Sequence, residues 1–251
     1  MSTRPQSSSD DALAVERAAG DDRQGVRPGV LLRLMRPTHW VKNVLVLLPV
    51  VFAMRIADPA AWLWAGLAAA AFCLAASAVY IVNDIRDAAQ DGLHPVKCHR
   101  PIASGAVSPR AAWGLAAVLT GGALGLSLLA GWAVLVFVAA YLLLQAAYTT
   151  LLKYRMLVDV MAIAMGFVLR AVAGAVAIRA EVSPWLVICA FTLCLFMGFC
   201  KRRNEMASIN DCAQAERFRA TLAGYTPELL THLITLSAGV AIVAYLLYAT
   251  S

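Results

Sequence analysis

The chain has 251 residues, 61% of them hydrophobic and 14% charged, with a formal net charge of +6. That balance excludes an ordinary soluble domain, in which about a quarter of residues carry charge, and its long apolar runs identify a membrane protein. The cations sit in loops beside those runs, so the positive charge reads as a topology signal and not as a nucleic-acid footprint.

Residues 1–29 are polar, rich in Ser, Asp, Arg and Gly, and contain no apolar stretch of signal-peptide type. A disordered cytoplasmic tail is expected there, followed by one membrane domain over residues 30–251. Residues 31–40 carry Arg33, Arg36 and His39 among apolar neighbours, an interfacial entry helix bent at Pro37. Seven spans are predicted after it, near residues 41–56, 60–82, 111–130, 132–152, 156–178, 184–200 and 228–248, most of them close to the roughly 20 residues that a bilayer requires. The fold class is therefore all-α, a polytopic transmembrane helical bundle. Loops after the even-numbered spans hold Arg86, Lys97, Arg100, Arg110, Lys153, Arg155, Lys201, Arg202, Arg203, Arg217 and Arg219, whereas the opposite loops hold only Arg55 and Arg179. The positive-inside rule puts the amino terminus and the charged loops in the cytoplasm.

Residues 83–105, N-D-I-R-D-A-A-Q-D-G-L-H-P-V-K-C-H-R-P-I-A-S-G, concentrate the chemistry. Asp84, Asp87 and Asp91 fall at about 0°, −60° and −20° around a helix axis, so they share a face. Three carboxylates on one face repel unless cations neutralise them. Hard oxygens with room for water suit Mg²⁺, which takes one or two carboxylates plus substrate phosphates. Asp84 and Asp91 lie about 10 Å apart along the axis, which favours a metal–diphosphate–metal arrangement over one closed site. Lys97, His99 and Arg100 follow, placed to grip the remaining phosphate charge. A solvated loop that serves topology alone leaves the spacing of the acids unexplained.

The fifth span holds Asp159, Gly166 and Arg170 within about 40° of one another. An arginine facing lipid near the bilayer centre costs about 2.5–3.5 kcal/mol on insertion scales, so Arg170 is expected to line a polar cavity or to pair with an acid on another helix. Asp159 lies about 16 Å away along the axis, too far for contact within the helix. The cysteines at 73, 98, 189, 194, 200 and 212 show no C-x-x-C and no ligand-like spacing, and neither a disulfide framework nor a zinc site is expected.

The N-D-x-x-D-x-x-x-D of residues 83–91, with R-P-I-A-S-G after it, resembles the first aspartate-rich motif of the UbiA superfamily of intramembrane prenyltransferases. The fuller form H-P-x-K-x-x-R-P-I-A-S-G at 94–105, with R-P-T-H-W-V-K-N at 36–43, is similar to the decaprenyl-phosphate phosphoribosyltransferase branch. The likeness runs from about residue 31 to the end and covers seven of the family's nine or so spans. It implies an integral enzyme of the inner or plasma membrane that uses Mg²⁺, takes phosphoribosyl diphosphate as donor and a polyprenyl phosphate as acceptor, and feeds cell-envelope glycan synthesis. It also implies Asn83 beside Asp84, Asp87 and Asp91 as a metal ligand, and Asp159 as the remnant of a second aspartate motif whose other acid is Ile163 here. Substrate contacts are implied for Lys42, Tyr148, Lys153, Lys201 and Arg202, with Arg219 and Tyr225 as weaker candidates. Lys42 also suits interfacial snorkelling, and Tyr148 and Lys153 suit an aromatic belt and its flank.

The cations Lys42, Lys97, Arg100, Lys153, Lys201 and Arg202 outnumber the acids Asp84, Asp87, Asp91 and Asp159, a surplus that suits two phosphorylated substrates. An anionic acceptor phosphate needs no strong base, and only His94 and His99 lie near enough to supply one. The alternatives are an aromatic prenyltransferase with a lipid diphosphate donor, and a transporter, for which the paired interrupted spans are not seen.

Overall fold

The computed structural model describes residues 28–94, 96–207 and 224–250. Most of the expected tail, together with Arg217, Arg219 and Cys212, lies outside the described residues. The described chain is helical throughout: α1 (Pro28–Met35), a 3₁₀ segment (Pro37–Val46) leading into α2 (Leu48–Phe52), α3 (Pro59–Gly92), α4 (Pro109–Ala130), α5 (Trp132–Thr150), α6 (Val158–Ala177), α7 (Pro184–Ala207) and α8 (Pro227–Thr250). Short 3₁₀ turns occupy Lys97–His99 and Leu152–Tyr154.

The helix starts follow from proline and short polar caps. Pro59 and Pro109 open α3 and α4 behind Asp58 and Ser108, whose side-chain oxygens accept from Ala60 N and Ala111 N at 2.9 and 3.3 Å. Proline at a first helical position forfeits an N–H that would have no partner there. One residue, Gly131, separates α4 from α5 at φ +133, a backbone conformation open to glycine and strained for other residues.

Six helices, α3 to α8, are long and apolar enough to cross a membrane, against the seven expected. The difference lies at the predicted first span, 41–56. There the chain forms ten residues of 3₁₀ helix and only five of α-helix. Pro49, inside that run, removes a backbone donor, which keeps one continuous α-helix from forming. A 3₁₀ helix rises about 2.0 Å per residue, so Pro37–Val46 still reaches about 20 Å into the bundle.

α3 is the centre. Its 34 residues span about 51 Å, well beyond the roughly 30 Å hydrocarbon core, so its last turns stand clear of the apolar layer. Ala61, Ala65, Ala68, Ala71, Phe72, Ala75 and Ala78 are buried along one side of it. Their small side chains let the neighbouring helices come close, which is how helices gain packing energy where lipid offers no hydrophobic drive. Half of the span window of α3 and 56% of that of α6 are buried, against 11% for α7; α3 and α6 are the inner pair and the α7–α8 hairpin is peripheral. The main cluster joins Phe72, Ala75, Ala123, Val138, Tyr141 and Ala173 around Val46 of the 3₁₀ segment.

The 3₁₀ segment crosses α6 at Gly174, where a Cβ would sit 2.0 Å from the Val46 carbonyl oxygen. Backbone has no rotamer with which to move aside. Gly174→Ala is expected to destabilise the fold by at least the ~1–3 kcal/mol typical of overpacking, read as a lower unfolding midpoint in detergent. Gly125→Ala, in open space on α4, should be neutral or mildly stabilising.

Candidate active site

Asp84, Asp87 and Asp91 lie on the projecting end of α3, and each faces a cation brought from elsewhere. Asp84 and Asp91 are each only 4% exposed. The Arg36 guanidinium donates to both Asp84 oxygens, at 2.5 and 2.8 Å. Arg100 Nη1 donates to Asp91 Oδ2 at 2.5 Å and to Asp84 Oδ1 at 3.3 Å. Lys153 Nζ stands 3.9 Å from Asp87 Oδ1, on the more open side. Asn83 Oδ1 accepts from Thr149 Oγ1 at 2.8 Å, tying α3 to the end of α5. The acid face thus has two flanks, with Asp84 and Asp91 toward Arg36 and Arg100, and Asp87 and Asn83 toward Lys153 and Thr149.

Arg36 was read from the sequence as part of the interfacial entry helix and not as a site residue. It joins α1 to the 3₁₀ segment at φ 51, a left-handed conformation that is costly for a side chain with a Cβ. Its carbonyl accepts from His39 N at 2.9 Å, and its guanidinium lies 5.2 Å from the Tyr80 ring centroid. The strained turn delivers the charge to Asp84, 48 positions along the chain. The one available sequence signal was the arginine that opens R-P-T-H-W-V-K-N.

A cleft of about 500 Å³ opens at this point, with Arg33, Arg36, His39, Asp84, His99 and Arg100 in its wall. Three guanidiniums and two imidazoles surround one carboxylate. Burial, then the Lys42 and Arg36 charges, hold the His39 imidazole below its usual pKa, and its ring lies 5.0 Å from that of Tyr80. Among the described residues no three His, Cys, Asp or Glu side chains converge as a ready metal cage. The oxygens of Asp84, Asp87, Asp91 and Asn83 nevertheless fit Mg²⁺, which binds through few carboxylates and completes its shell with water and substrate phosphate.

At the start of α6 the structure places Asp159 with Arg202. Asp159 is 0% and Arg202 2% exposed, and Arg202 Nε and Nη2 donate to Asp159 Oδ2 at 3.2 and 3.0 Å while Nη1 reaches Glu205 at 2.6 Å. Tyr225 accepts from Leu157 N at 2.9 Å and donates toward Asp159 at 3.5 Å; burial pushes its phenol above the ordinary pKa. Arg202 therefore faces a buried acid, and Lys201 beside it points outward, 72% exposed and 3.9 Å from Glu205. Lys42 and Lys97 are exposed, and Tyr148 is half-buried on the last turns of α5.

Of the stripe expected on α6, Gly166 and Arg170 meet and Asp159 stands apart. Arg170 donates to the Gly166 carbonyl at 2.8 Å, to Asn43 Oδ1 at 2.7 Å and to the Tyr141 hydroxyl at 2.9 Å.

Breaking a buried pair strands the other charge, which costs about 3–5 kcal/mol. Arg202→Gln is expected to lower stability by that order in detergent unfolding. Lys201→Gln, which loses only an exposed i,i+4 pair, should change it by less than about 0.5 kcal/mol.

Residues 46–251 match the UbiA prenyltransferase family. The chain is 36% identical over 222 residues to a decaprenyl-phosphate phosphoribosyltransferase of Corynebacterium glutamicum, covering 87% of this chain and 66% of that protein. It is 35% identical over 227 residues to the protein of the same name in Mycolicibacterium smegmatis, covering 88% and 70%. The chain thus spans about two thirds of the length of these curated relatives. Among solved structures, a UbiA homolog from Archaeoglobus fulgidus bound to GPP and Mg²⁺ superposes with a TM-score of 0.66 at 21% identity, over 88% of this chain and 77% of that one. The helical fold, the aspartates on the end of α3 and the match over most of the sequence agree: the chain belongs to the UbiA prenyltransferase family.

Proposed function

We propose that the chain transfers a 5-phosphoribosyl group from phosphoribosyl diphosphate to a polyprenyl phosphate in the membrane, with the amino terminus and the cleft on the cytoplasmic side. The observation that carries this reading is the cleft at Asp84, where Arg33, Arg36, His39, His99 and Arg100 surround a single carboxylate. A donor with a diphosphate and a 5-phosphate needs that surplus of donors, and a flat aromatic acceptor does not. The relatives named decaprenyl-phosphate phosphoribosyltransferase support it.

In the reaction the C1–O bond to diphosphate breaks, its electron pair leaves with the diphosphate, and an oxygen of the acceptor phosphate forms the new C1–O bond. Charge builds on the leaving group while C1 acquires oxocarbenium character. Arg36 and Arg100, held on Asp84, would stabilise that negative charge as fixed donors that need little reorganisation. Mg²⁺ held by Asp84, Asp87 and Asp91 would neutralise the departing diphosphate. The acceptor oxygen is already anionic, so no strong base is required of His39 or His99. Arg33, Lys97 and Lys153 stand at the cytoplasmic mouth for the other phosphates.

In membranes that contain the chain, labelled ribose phosphate is expected to pass from phosphoribosyl diphosphate to added polyprenyl phosphate and to require Mg²⁺. Asp84→Asn or Asp87→Asn should lower this turnover at least about a hundredfold with membrane insertion intact, in line with the several kcal/mol a metal contributes to charge stabilisation. Prenylation of an aromatic acid, without ribose phosphate transfer, would contradict the reading.

A further inference from the structure

Arg170 sits midway along α6 and is 6% exposed. All of its partners among the described residues are neutral: Asn43 Oδ1, the Gly166 carbonyl and the Tyr141 hydroxyl, with the rings of Tyr141, Phe167 and Phe72 at 4.5, 5.6 and 5.8 Å. No ion pair reaches it. The acids that might have served are engaged elsewhere, Asp159 with Arg202 and Asp84 with Arg36 and Arg100. The guanidinium thus lies buried in the bundle with no acid beside it among the described residues, an arrangement that desolvation penalises.

The surroundings are arranged to hold the guanidinium in place. Asn43 is 2% exposed, and its amide is oriented by donating to Cys73 Sγ at 3.1 Å, which turns Oδ1 toward Arg170 Nε. Of the five guanidinium N–H groups, the three contacts leave one on each terminal nitrogen. A pair of N–H groups on one planar fork is suited to two oxygens of a phosphate.

We propose that Arg170, with Asn43 and Tyr141, forms a second anion subsite that takes a phosphate monoester about 16 Å deeper along α6 than Asp159. The inference rests on the two-substrate reading above. A phosphate supplies the negative charge that the neutral partners of Arg170 do not. Two sources share that chemistry, the phosphate of the lipid acceptor and the 5-phosphate of the donor.

The test is ligand binding to the full chain in detergent, with farnesyl phosphate and farnesol as one pair and ribose 5-phosphate and ribose as the other. The unfolding midpoint is expected to rise with a phosphate and not with its neutral counterpart. A response to farnesyl phosphate assigns the subsite to the lipid, and a response to ribose 5-phosphate alone assigns it to the donor. Arg170→Gln should weaken that binding at least about tenfold, the loss of a charge-assisted contact, and Arg170→Lys should retain part of it. Phosphate binding by the wild-type chain without any ribose phosphate transfer in its membranes would refute the proposed reaction and leave the subsite standing. The subsite is overturned if neither phosphate stabilises the wild-type chain beyond its neutral counterpart, or if Arg170→Gln binds as tightly as wild type. Should Arg170→Gln fail to accumulate, the wild-type comparison and Arg170→Lys decide, and a lysine variant with undiminished affinity for both phosphates would overturn the geometry.

Discussion

The pairing of Asp84 with Arg36 and Arg100 is the contact on which the cleft depends. Buried carboxylates repel one another and resist desolvation, so they persist only where cations meet them. Arg36 comes from the turn before the 3₁₀ segment and Arg100 from the loop after α3, and both converge on one oxygen of Asp84. Three separate stretches of chain are thereby fixed around a single charge. The same cations are the ones a departing diphosphate requires, so the interactions that hold the mouth together also prepare it for an anionic ligand. Asp159 and Arg202 show the other outcome, a pair so enclosed that its evident work is to hold α7 on α6.

Close backbone packing makes these pairings possible. The alanine side of α3 lets the 3₁₀ segment, α4, α5 and α6 approach it, and Gly174 lets Val46 rest on α6 without an intervening side chain. That crossing sets the depth of the 3₁₀ segment. Its depth in turn brings Asn43 to Arg170, while the turn at its beginning brings Arg36 to Asp84. Trp40 and Ser77 reinforce the alignment: Trp40 Nε1 donates to Ser77 Oγ at 3.0 Å, and Ser77 donates to the Met35 carbonyl at 2.9 Å. A bundle built of larger residues would hold the same charges too far apart.

Much of this was legible in the sequence because it is local. The spacing of Asp84, Asp87 and Asp91 on one helix end, the spans from α3 to α8, and the share of lysine and arginine between the two sets of loops all depend on neighbours within a few turns. The predicted span at 41–56 takes the form of a shorter apolar helix, because Pro49 divides the run into a 3₁₀ segment and a short α-helix, a division that its composition does not mark. Long-range partners were equally invisible. Nothing in the periodicity of α7 marks Arg202 as the companion of Asp159, and nothing near Arg36 indicates an acid 48 positions on. Arg170 was recognisable as a charge that needed a reason, and its actual surroundings, Asn43 and Tyr141, come from two other elements.

The central claim is that the arginines around Asp84 receive the diphosphate of a phosphorylated donor together with Mg²⁺. Calorimetric titration of the full chain in detergent with phosphoribosyl diphosphate tests it most directly. Binding should tighten markedly when Mg²⁺ is present and should weaken at least about tenfold in Arg36→Gln. Equal affinity with and without Mg²⁺, undiminished in Arg36→Gln, would contradict the account.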